Sequence, residues 1–433
     1  MTKMKESGID WIGKIPEEWE VIKVKFFTYM KGRIGWQGLK ADEFIDEGPY
    51  LVTGTDFKNG RVNWDTAYHI SQKRYEQAPE IQLKQGDLLV TKDGTVGKLA
   101  LIDELPDSAS LNSHLLVLRP LFNRYDNHFL YYVLSSLEFK NYFQKVSIGS
   151  TMDSLSQEKM GEFIFALPNI NEQNSISRYL DKKTAQLDKA KALLEEQIQK
   201  LKDYRASLIY ETVTKGLDKN VPMKDSGIDW IGQVPQGWGV KRLKDYVDFQ
   251  TGTTPPQSIG VNQEREGVCW FKPGDFSDES IDLTSAENYI TSEIVNQQKL
   301  SVYPEKTILV VGIASIGKVG YSENSSYSNQ QITALKVIGQ IFPKYLAYFM
   351  FSSGQYIRET ALYTVVPIIN NQYLSSLKIV LPNLEEQESI VEYLDRQIMQ
   401  INKMIVIKNE QIKNINKQRQ TLIYDYVTGK RRV

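Results

Sequence analysis

Cysteine is almost missing from this chain of 433 residues, and its scarcity limits the chemistry open to the protein. Cys269 is the single cysteine, so no disulfide can form within the chain, and a reducing, cytoplasmic setting fits. Histidine is scarce as well, with only His69, His114 and His128 present. These few ligands predict no metal site, and because all three histidines lie in the first half, we expect them to be surface or packing residues.

Long apolar runs and an excess of one charge are missing too. No stretch of about 18 apolar residues occurs, so we expect no membrane span. The charged opening from Met1 to Trp11 lacks the apolar core of a secretion signal. The 52 basic and 53 acidic residues leave a net charge of −1, whereas nucleic-acid-binding proteins usually carry a basic surface. If the protein binds DNA, it must use local clusters or share the electrostatic attraction with a partner.

Motifs for catalysis are also missing. The only Pro-Pro pair, Pro255-Pro256, lacks the flanking residues that would clamp a flipped base, and neither a methyl-donor glycine fingerprint nor a nuclease metal motif stands out. The segment from Gly312 to Lys318, GIASIGK, imitates a phosphate-binding loop but continues with Val319 instead of serine or threonine. We interpret it as a hairpin turn that carries an exposed lysine. The sequence therefore predicts a protein that is not an enzyme by itself and holds no cofactor.

What the chain does contain is an internal repeat. The segment Met4–Val21 reads MKESGIDWIGKIPEEWEV, and Met223–Val240 reads MKDSGIDWIGQVPQGWGV, with twelve of eighteen positions identical. A second anchor, LPNINEQNSISRYLD from Leu167, recurs as LPNLEEQESIVEYLD from Leu381. Each opening segment carries two tryptophans that we expect to pack a loop against the domain or the long helices, namely Trp11, Trp19, Trp230 and Trp238.

The segments between these anchors share little sequence. Ordinary drift after duplication would explain this, but a second interpretation is that a repeated frame holds two interiors that recognise different targets. Each interior is expected to be an α+β domain of roughly 150 residues. Strands are predicted at Gly48–Val52, Gly86–Thr91, Lys98–Ile102, Thr307–Gly312 and Lys318–Tyr321, and single helices at Asp126–Phe143 and Pro343–Ile357.

The segment after each LPN anchor predicts a long helix. Neither contains proline or glycine over about 45 residues, which would span roughly 65–70 Å as a helix. Apolar residues recur every seven positions, interrupted only by Lys408 and Arg419, so the two helices are expected to pair as an antiparallel coiled coil. The seam residues are Leu180, Leu187, Leu194, Leu201 and Leu208 in the first helix, and Leu394, Ile398, Ile401, Ile405, Ile412, Ile415 and Leu422 in the second. A single amphipathic helix lying on a domain is the weaker alternative.

Polar side chains in loops are the remaining candidates for function, because base edges are read by Arg, Lys, Asn, Gln, Ser and Thr. Two stretches at equivalent places, Lys31–Lys40 and Gln250–Gln263, have entirely different side chains. Solvated loops and turn caps would show the same composition. The candidate DNA-contacting residues are Lys31, Arg33, Trp36, Gln37, Lys40, Thr91, Lys92, Lys98, Asn112 and Ser113 in the first copy, and Thr253, Thr254, Gln257, Lys318, Asn329, Gln330 and Asn370 in the second.

These motifs together resemble the specificity (S) subunit of type I restriction-modification systems over nearly the whole chain. The resemblance rests on the repeated SGIDWIGxxPxxW opening, the GDLLVTKDGTVGK stretch, the repeated LPNxxEQxxIxxYLD anchor and helices that end in LIYxxVT. It implies a DNA-binding, cytoplasmic subunit with two target-recognition domains, each reading one half of a bipartite, asymmetric site in double-stranded DNA. It also implies docking of two methyltransferase (M) subunits and of restriction (R) subunits, to which S-adenosylmethionine, ATP and magnesium would belong.

The expected fold is therefore α+β, with two target-recognition domains separated by two long antiparallel coiled-coil helices in a pseudo-two-fold internal repeat. The expected domains are residues 1–166 and 218–380 for recognition, and residues 167–217 and 381–433 for the helical spacers. Half-site centres about one turn of DNA apart, ~34 Å, would let both domains face one side of the duplex. Two other classes remain open, a coiled-coil adaptor that binds only proteins and a self-sufficient enzyme.

Overall fold

The computed structural model describes residues 3–33, 39, 41–147, 154–254, 267–297, 300–363 and 367–433. Contacts between residues divide the chain into two compact units. Unit 1 comprises Met1–Leu194 and Glu410–Val433, and unit 2 comprises Glu195–Asn409. The division falls inside both long helices, whereas the domain bounds at 166, 217 and 380 follow sequence anchors and stay a prediction.

Unit 1 combines short strands with helices, and the first long helix begins in it. Its strands are β1 (Met4–Glu6), β2 (Lys14–Pro16), β3 (Glu20–Lys23), β4 (Thr28–Lys31), β5 (Phe44–Val52), β6 (Phe57–Lys58), β7 (Arg61–Val62), β8 (Tyr68–Ile70), β9 (Leu88–Thr91), β10 (Leu99–Leu101), β11 (Ala109–Leu111), β12 (Leu115–Pro120) and β13 (Ile164–Leu167). Its helices are α1 (Val24–Phe27), α2 (Gln72–Glu76), α3 (Asn127–Ser135), α4 (Leu137–Ser147), α5 (Gln157–Gly161) and the first part of α6 (Ile170–Lys215).

Unit 2 has a closely similar order of elements. Its strands are β14 (Met223–Asp225), β15 (Gln233–Pro235), β16 (Gly239–Arg242), β17 (Val247–Thr251), β18 (Val268–Phe271), β19 (Asn288–Ile290), β20 (Thr307–Val311), β21 (Val319–Ser322), β22 (Ser326–Ser328), β23 (Ile332–Val337), β24 (Leu362–Tyr363), β25 (Pro367–Ile368) and β26 (Lys378–Leu381). Its helices are α7 (Ser292–Gln297), α8 (Pro343–Ser352), α9 (Gly354–Thr360), α10 (Asn371–Ser376) and most of α11 (Leu384–Val427), which ends in unit 1.

The sheets of the two interiors have the same topology. In unit 1 the order β4-β12-β9-β10 continues to β7 and β6, and β11-β5-β8 forms a second sheet in which β11 and β5 are parallel. In unit 2 the corresponding orders are β17-β23-β20-β21 and β22-β18-β19, with β22 and β18 parallel. Two interiors with little sequence in common thus share one α+β fold, which confirms the predicted fold class.

The LPN anchor begins each long helix with the same hydrogen bonds. In unit 1 the side chain of Asn169 accepts from the backbone N–H of Glu172 at 3.0 Å, as an N-cap does, and the Glu172 carboxylate accepts from the indole of Trp19 at 3.1 Å. In unit 2, Asn383 caps Glu386 at 2.9 Å, and Glu386 accepts from Trp238 at 3.1 Å. The prediction that the opening tryptophans pack against the long helices is confirmed for Trp19 and Trp238.

The two long helices pair antiparallel within each unit. In unit 1 the rings of Tyr179 and Tyr426 lie 4.6 Å apart, and Asp188 lies 3.5 Å from Arg419. The partner residue number falls as the α6 number rises, as an antiparallel pair requires.

Unit 2 shows the same direction in the second part of α6. Lys408 donates to Gln197, and Arg205 donates to Asn402. The predicted coiled coil is confirmed. The seam interruptions Lys408 and Arg419 both face polar partners across the pair, which suits a role in fixing the register.

The predicted seam residues all lie on the covered side of their helices. Their side chains are buried in Leu180, Leu394, Ile398 and Ile401, and half-buried in Leu187, Leu194, Leu201, Leu208, Ile405, Ile412, Ile415 and Leu422. In α6 the positions four residues after the seam leucines include the buried polar residues Thr184, Arg205 and Thr212, whereas the corresponding positions of α11 include Ile398, Ile405 and Ile412.

Two helices that the sequence predicts as single are split. The segment Asp126–Phe143 forms α3 and α4 with a break at Ser136, whose hydroxyl donates to Val133 O at 2.6 Å and accepts from Phe139 N at 3.4 Å. The segment Pro343–Ile357 forms α8 and α9 with a break at Ser353, which donates to Met350 O at 2.7 Å. Serine competes for backbone hydrogen bonds in this way, and apolar periodicity does not register it.

A substitution at Gly252 is expected to destabilise unit 2. A Cβ built on Gly252 would lie 2.3 Å from the backbone oxygens of Ser328 and Asn329, so Gly252→Ala must displace main chain. We expect a loss of about 1–3 kcal/mol in the free energy of unfolding, measured by denaturant titration of the full chain. Gly274→Ala is the control, because a Cβ there meets nothing within 4 Å. Equal midpoints for the two variants would contradict the expectation.

Arg205 is expected to stabilise unit 2 more than its neighbour Lys202. Both donate to Glu279, but the Arg205 side chain is 7% exposed while that of Lys202 is 33% exposed. Arg205→Ala should lower the free energy of unfolding by about 2–3 kcal/mol, less than a fully buried pair would lose because Glu279 is half exposed. Lys202→Ala should cost less than about 1 kcal/mol. Denaturant midpoints in the opposite order would refute this ranking.

Candidate nucleic-acid interface

Three loops of unit 2 are tied together by backbone hydrogen bonds at one end of the sheet β17-β23-β20-β21. The N–H of Gly312, after β20, donates to Gln331 O at 2.7 Å, and Ile369 N donates to Gly312 O at 2.9 Å. The side chain of Asn329 accepts from Gln331 N at 3.1 Å and closes the turn before β23. Main-chain bonds and the side chain of one asparagine therefore hold these loops in place.

Unit 1 holds its loops with the same set of bonds. Lys92 N donates to His114 O at 2.9 Å, and Leu155 N donates to Lys92 O at 2.8 Å. The side chain of Asn112 accepts from His114 N at 3.0 Å. By strand register and hydrogen bonding, Lys92 corresponds to Gly312 and His114 to Gln331. We call this shared arrangement the loop frame.

The loop frame of unit 2 borders an open cleft of about 430 Å³, which we call the amide cleft. The described residues that line it are threonines, asparagines, glutamines, isoleucines and one glycine, and none of them is charged. They are Thr251, Gly312, Ile313, Gln330, Gln331, Thr333, Ile368, Ile369, Asn370, Asn371 and Gln372. Polar candidates from three separate parts of the sequence thus meet at one surface.

Several groups of the amide cleft are linked to one another. Thr333 donates to the amide oxygen of Asn371 at 3.1 Å, and the Asn371 amide donates to Thr251 at 3.4 Å. Thr254 donates to the amide oxygen of Gln330. The cleft is therefore a preorganised set of neutral donors and acceptors, which suits contacts to base edges more than to phosphates.

The same frame in unit 1 carries charged groups. His114, itself a frame position, lies 3.5 Å from Asp93, which follows Lys92. A Cβ built on Gly32 would lie 3.8 Å from Lys92 Nζ, which brings the end of β4, with the exposed Lys31, close to Lys92. Ser113 is half-buried beside them. This part of unit 1 therefore carries two lysines and a histidine together with one carboxylate.

Two predicted DNA-contacting residues of unit 1 are buried. Arg33 is 3% exposed and donates to Leu111 O at 3.0 Å and to Ser110 Oγ at 2.9 Å, and burial lowers its pKa to about 10. Thr91 is also 3% exposed and accepts from Lys98 N at 2.9 Å. Burial and internal bonding give both side chains a structural role, which neither the loop position of Arg33 nor the strand-end position of Thr91 revealed.

Three other predicted DNA-contacting residues use their side chains to hold turns or a helix end, and Thr253 remains exposed. Asn112 and Asn329 use their side chains to close turns, and Asn370 caps α10 by accepting from Tyr373 N at 2.8 Å. Thr253 is exposed and hydrogen-bonds the hydroxyl of Tyr327. Contact with DNA stays a prediction for each of these residues. Trp36, Gln37, Lys40 and Gln257 lie outside the described residues.

Lys98 and Lys318 occupy equivalent hairpin turns with different surroundings. The strands β20 and β21 pair antiparallel through Val310 and Val319, so the GIASIGK segment is a hairpin and is followed by a strand, as predicted. Lys98 is exposed. Lys318 is less exposed than predicted, because it lies 3.2 Å from Asp278 and donates to Phe276 O at 3.3 Å.

Sequence reasoning missed some members of the two surfaces. His114 was expected to be only a surface or packing residue, yet it occupies a frame position beside Lys92. Thr333 and Gln372 of the amide cleft carried no sequence signal. The sequence did contain one clue to these surfaces. An asparagine, Asn112 or Asn329, shortly precedes the equivalent strands β12 and β23.

His128 proves to have a counterpart in the second copy. It hydrogen-bonds the carboxylate of Asp181 at 2.9 Å, and Lys344 donates to the equivalent Asp395 at 2.9 Å. Burial by itself would raise the pKa of Asp181, but the hydrogen bonds from His128 and Tyr132 outweigh it and lower that pKa. His128 therefore ties α3 to α6, in keeping with a packing role.

Among the described residues, no group of three or more His, Cys, Asp or Glu side chains is arranged to hold a metal ion. None of the helices in the described ranges combines the length and apolar character that a membrane span needs.

Comparison with known proteins points in one direction. The family model described as the type I restriction modification DNA specificity domain matches residues 16–202 and 235–415. Among curated proteins, the Methanocaldococcus jannaschii MjaVIII specificity subunit of a type I restriction enzyme is 24% identical and aligns with 97% of this chain and 94% of its own. The Escherichia coli EcoKI specificity subunit is 21% identical over 89% of this chain and 83% of its own.

Solved structures show the same fold. A chain from a study of complex assembly and conformational transition of the type I R-M system superposes with a TM-score of 0.74 at 17% identity, covering 95% of this chain and 98% of that one. The HsdS subunit from Thermoanaerobacter tengcongensis gives a TM-score of 0.53 at 17% identity, covering 96% and 98%.

The two equivalent lysines are expected to differ in their effect on DNA binding. Lys98→Ala should reduce the salt dependence of binding, measured as the slope of log K against log salt, by about one unit, because a free ammonium group is lost. Lys318→Ala should change the slope less, since Asp278 already neutralises that charge. The assay measures binding of the full chain to mixed-sequence double-stranded DNA at several salt concentrations. Equal slopes for the two variants would count against this assignment.

Proposed function

Because the chain belongs to the family of type I restriction-modification DNA specificity subunits, we propose that it reads a bipartite, asymmetric site in double-stranded DNA. One half-site is read by the loops of unit 1 and the other by the loops of unit 2. The observation that carries this proposal is the loop frame. Its hydrogen bonds are repeated in both units, while the side chains it presents differ at Lys92 and Gly312 and at His114 and Gln331.

Drift alone would explain changed side chains, but it gives no reason for the candidate readers to remain grouped on one frame. In unit 2, residues from three loops line the amide cleft, and in unit 1, Gly32 at the end of β4 lies close to Lys92. Side chains that differ on a common scaffold are the expected result of selection for two different half-sites.

The proposal includes two methyltransferase subunits and restriction subunits as partners, acting together in the cytoplasm. Support comes from the surface of α11, where large apolar side chains are exposed to solvent within a short stretch, namely Met399, Met404, Val406 and Ile407. Exposed apolar side chains grouped in this way are typical of protein-binding surfaces. S-adenosylmethionine, ATP and magnesium would be bound by those partners, so methyl transfer and cleavage would not be activities of this chain alone.

The direct test is selection of sites from randomised DNA by the complex of this chain with its methyltransferase partner, followed by mapping of the methylated positions. We expect two short fixed sequences separated by a spacer of variable composition. Exchange of one interior between two such proteins should change one fixed sequence only. A complex that selects a single continuous sequence, or none, would contradict the proposal, and methylation by the chain without its partner would favour the enzyme alternative.

The length of the helix pair is expected to determine the spacer. Deletion of residues 188–194 from α6 and 413–419 from α11 removes facing heptads, since Asp188 lies 3.5 Å from Arg419. Seven residues correspond to a rise of roughly 10 Å, or about three base pairs. Site selection should therefore yield a spacer shortened by about three base pairs with both half-sites unchanged.

A control for this deletion keeps the helix length. Lys189→Ala and Lys417→Ala alter exposed positions of the same heptads and should leave the spacer as it was. A spacer that is unchanged after the deletion would refute the proposed role of the helices.

A further inference from the structure

The amide cleft of unit 2 has a chemical character that bears on which bases it would read. Its described lining carries no charged side chain, but it is rich in amides. An amide group presents a donor and an acceptor in one plane, which matches the N6 and N7 atoms of adenine in the major groove. Guanine instead presents two acceptors there and is usually read by arginine or lysine.

Two amides at the cleft are placed to contact a ligand. Gln330 and Asn370 are both exposed. The amide oxygen of Gln330 accepts from Thr254, and that of Asn370 accepts from Tyr373 N at 2.8 Å. Each oxygen has a second lone pair, and among the described residues neither side-chain NH2 group donates to a protein acceptor. Each amide can therefore still offer one donor and one acceptor.

The position of these amides is fixed by groups beneath them. Asn371 is held between Thr333 at 3.1 Å and Thr251 at 3.4 Å, so both ends of its amide are used within the cleft. The neighbouring backbone is held by the bond from Ile369 N to Gly312 O. Such support lowers the entropy lost when Gln330 and Asn370 bind a base.

Unit 1 provides a natural comparison. At its frame positions Lys92 stands in place of Gly312 and His114 in place of Gln331, and Ser156 caps α5 as Asn370 caps α10. Among the described residues, the frame positions of unit 1 thus lack the neutral amide character of unit 2, so the shared fold does not require it.

We propose that Gln330 and Asn370 read adenine edges in the major groove of the half-site recognised by unit 2. This inference rests on the proposed function and deepens it. The half-site of unit 2 then contains A·T pairs at the positions that these two side chains reach, and neutral hydrogen bonds select the base there.

The test uses site selection by the full chain in complex with its methyltransferase partner. Gln330→Arg should replace adenine by guanine at one position of one half-site, because arginine supplies two donors. Asn370→Ser keeps the helix cap, as Ser156 does in unit 1, but removes the amide. We expect it to reduce the preference for A·T at a second position roughly 5- to 150-fold.

The control is Gln236→Ala, an exposed amide outside the cleft, which should leave both half-sites unchanged. A new guanine preference in Gln330→Arg cannot arise from misfolding, so it distinguishes reading from support. Unchanged half-sites in both variants, or equal loss of both half-sites, would overturn the inference. Failure of the unaltered complex to select any bipartite site would instead overturn the proposed function.

Discussion

The backbone hydrogen bonds of the loop frame are the constraint on which the rest of the structure depends. Gly312, Gln331 and Ile369 in unit 2, like Lys92 and His114 in unit 1, are held through main-chain atoms. A main-chain bond is indifferent to the side chain that its residue carries, so the loops keep their positions while their surface chemistry changes. One asparagine per unit completes the frame, and it is retained in both copies. This division of roles explains how interiors with little sequence in common keep one topology.

Outside the interiors the opposite holds, because there the side chains themselves make the bonds. Glu172 and Glu386 each accept an indole N–H, and Asn169 and Asn383 each cap a long helix. A substitution at any of these positions would remove a bond that no backbone group replaces. The repeated motifs are therefore the parts of the chain where sequence and structure are most tightly coupled, and this is why the fold class, both long helices and their antiparallel pairing could be predicted from the sequence.

The features that sequence did not predict depend on contacts between distant segments. Arg33 lies in a loop rich in glycine and basic residues, but its guanidinium is buried against Ser110 and Leu111. No histidine stands at the position equivalent to His128 in the second copy. Lys344 makes the equivalent bond there, to the carboxylate of Asp395, as His128 does to Asp181. A residue type that occurs in only one copy can therefore take part in an interaction that both copies share, because a different residue donates to the equivalent carboxylate in the other copy. The amide cleft was foreseen only as separate polar stretches, because nothing in their spacing shows that they meet.

The near-neutral net charge of the chain agrees with the chemistry of its candidate interface. A protein that held DNA mainly through phosphates would need many free cations, yet Lys318 is paired with Asp278 and the amide cleft has no charged residue in its described lining. Base selection by neutral amides adds discrimination but little long-range attraction. In the proposed function, the attraction would then come from other surfaces, either the one near Lys31 and Lys92 or a partner subunit. Separating selection from attraction would let the bases read by unit 2 change without altering the overall affinity of the proposed assembly for DNA.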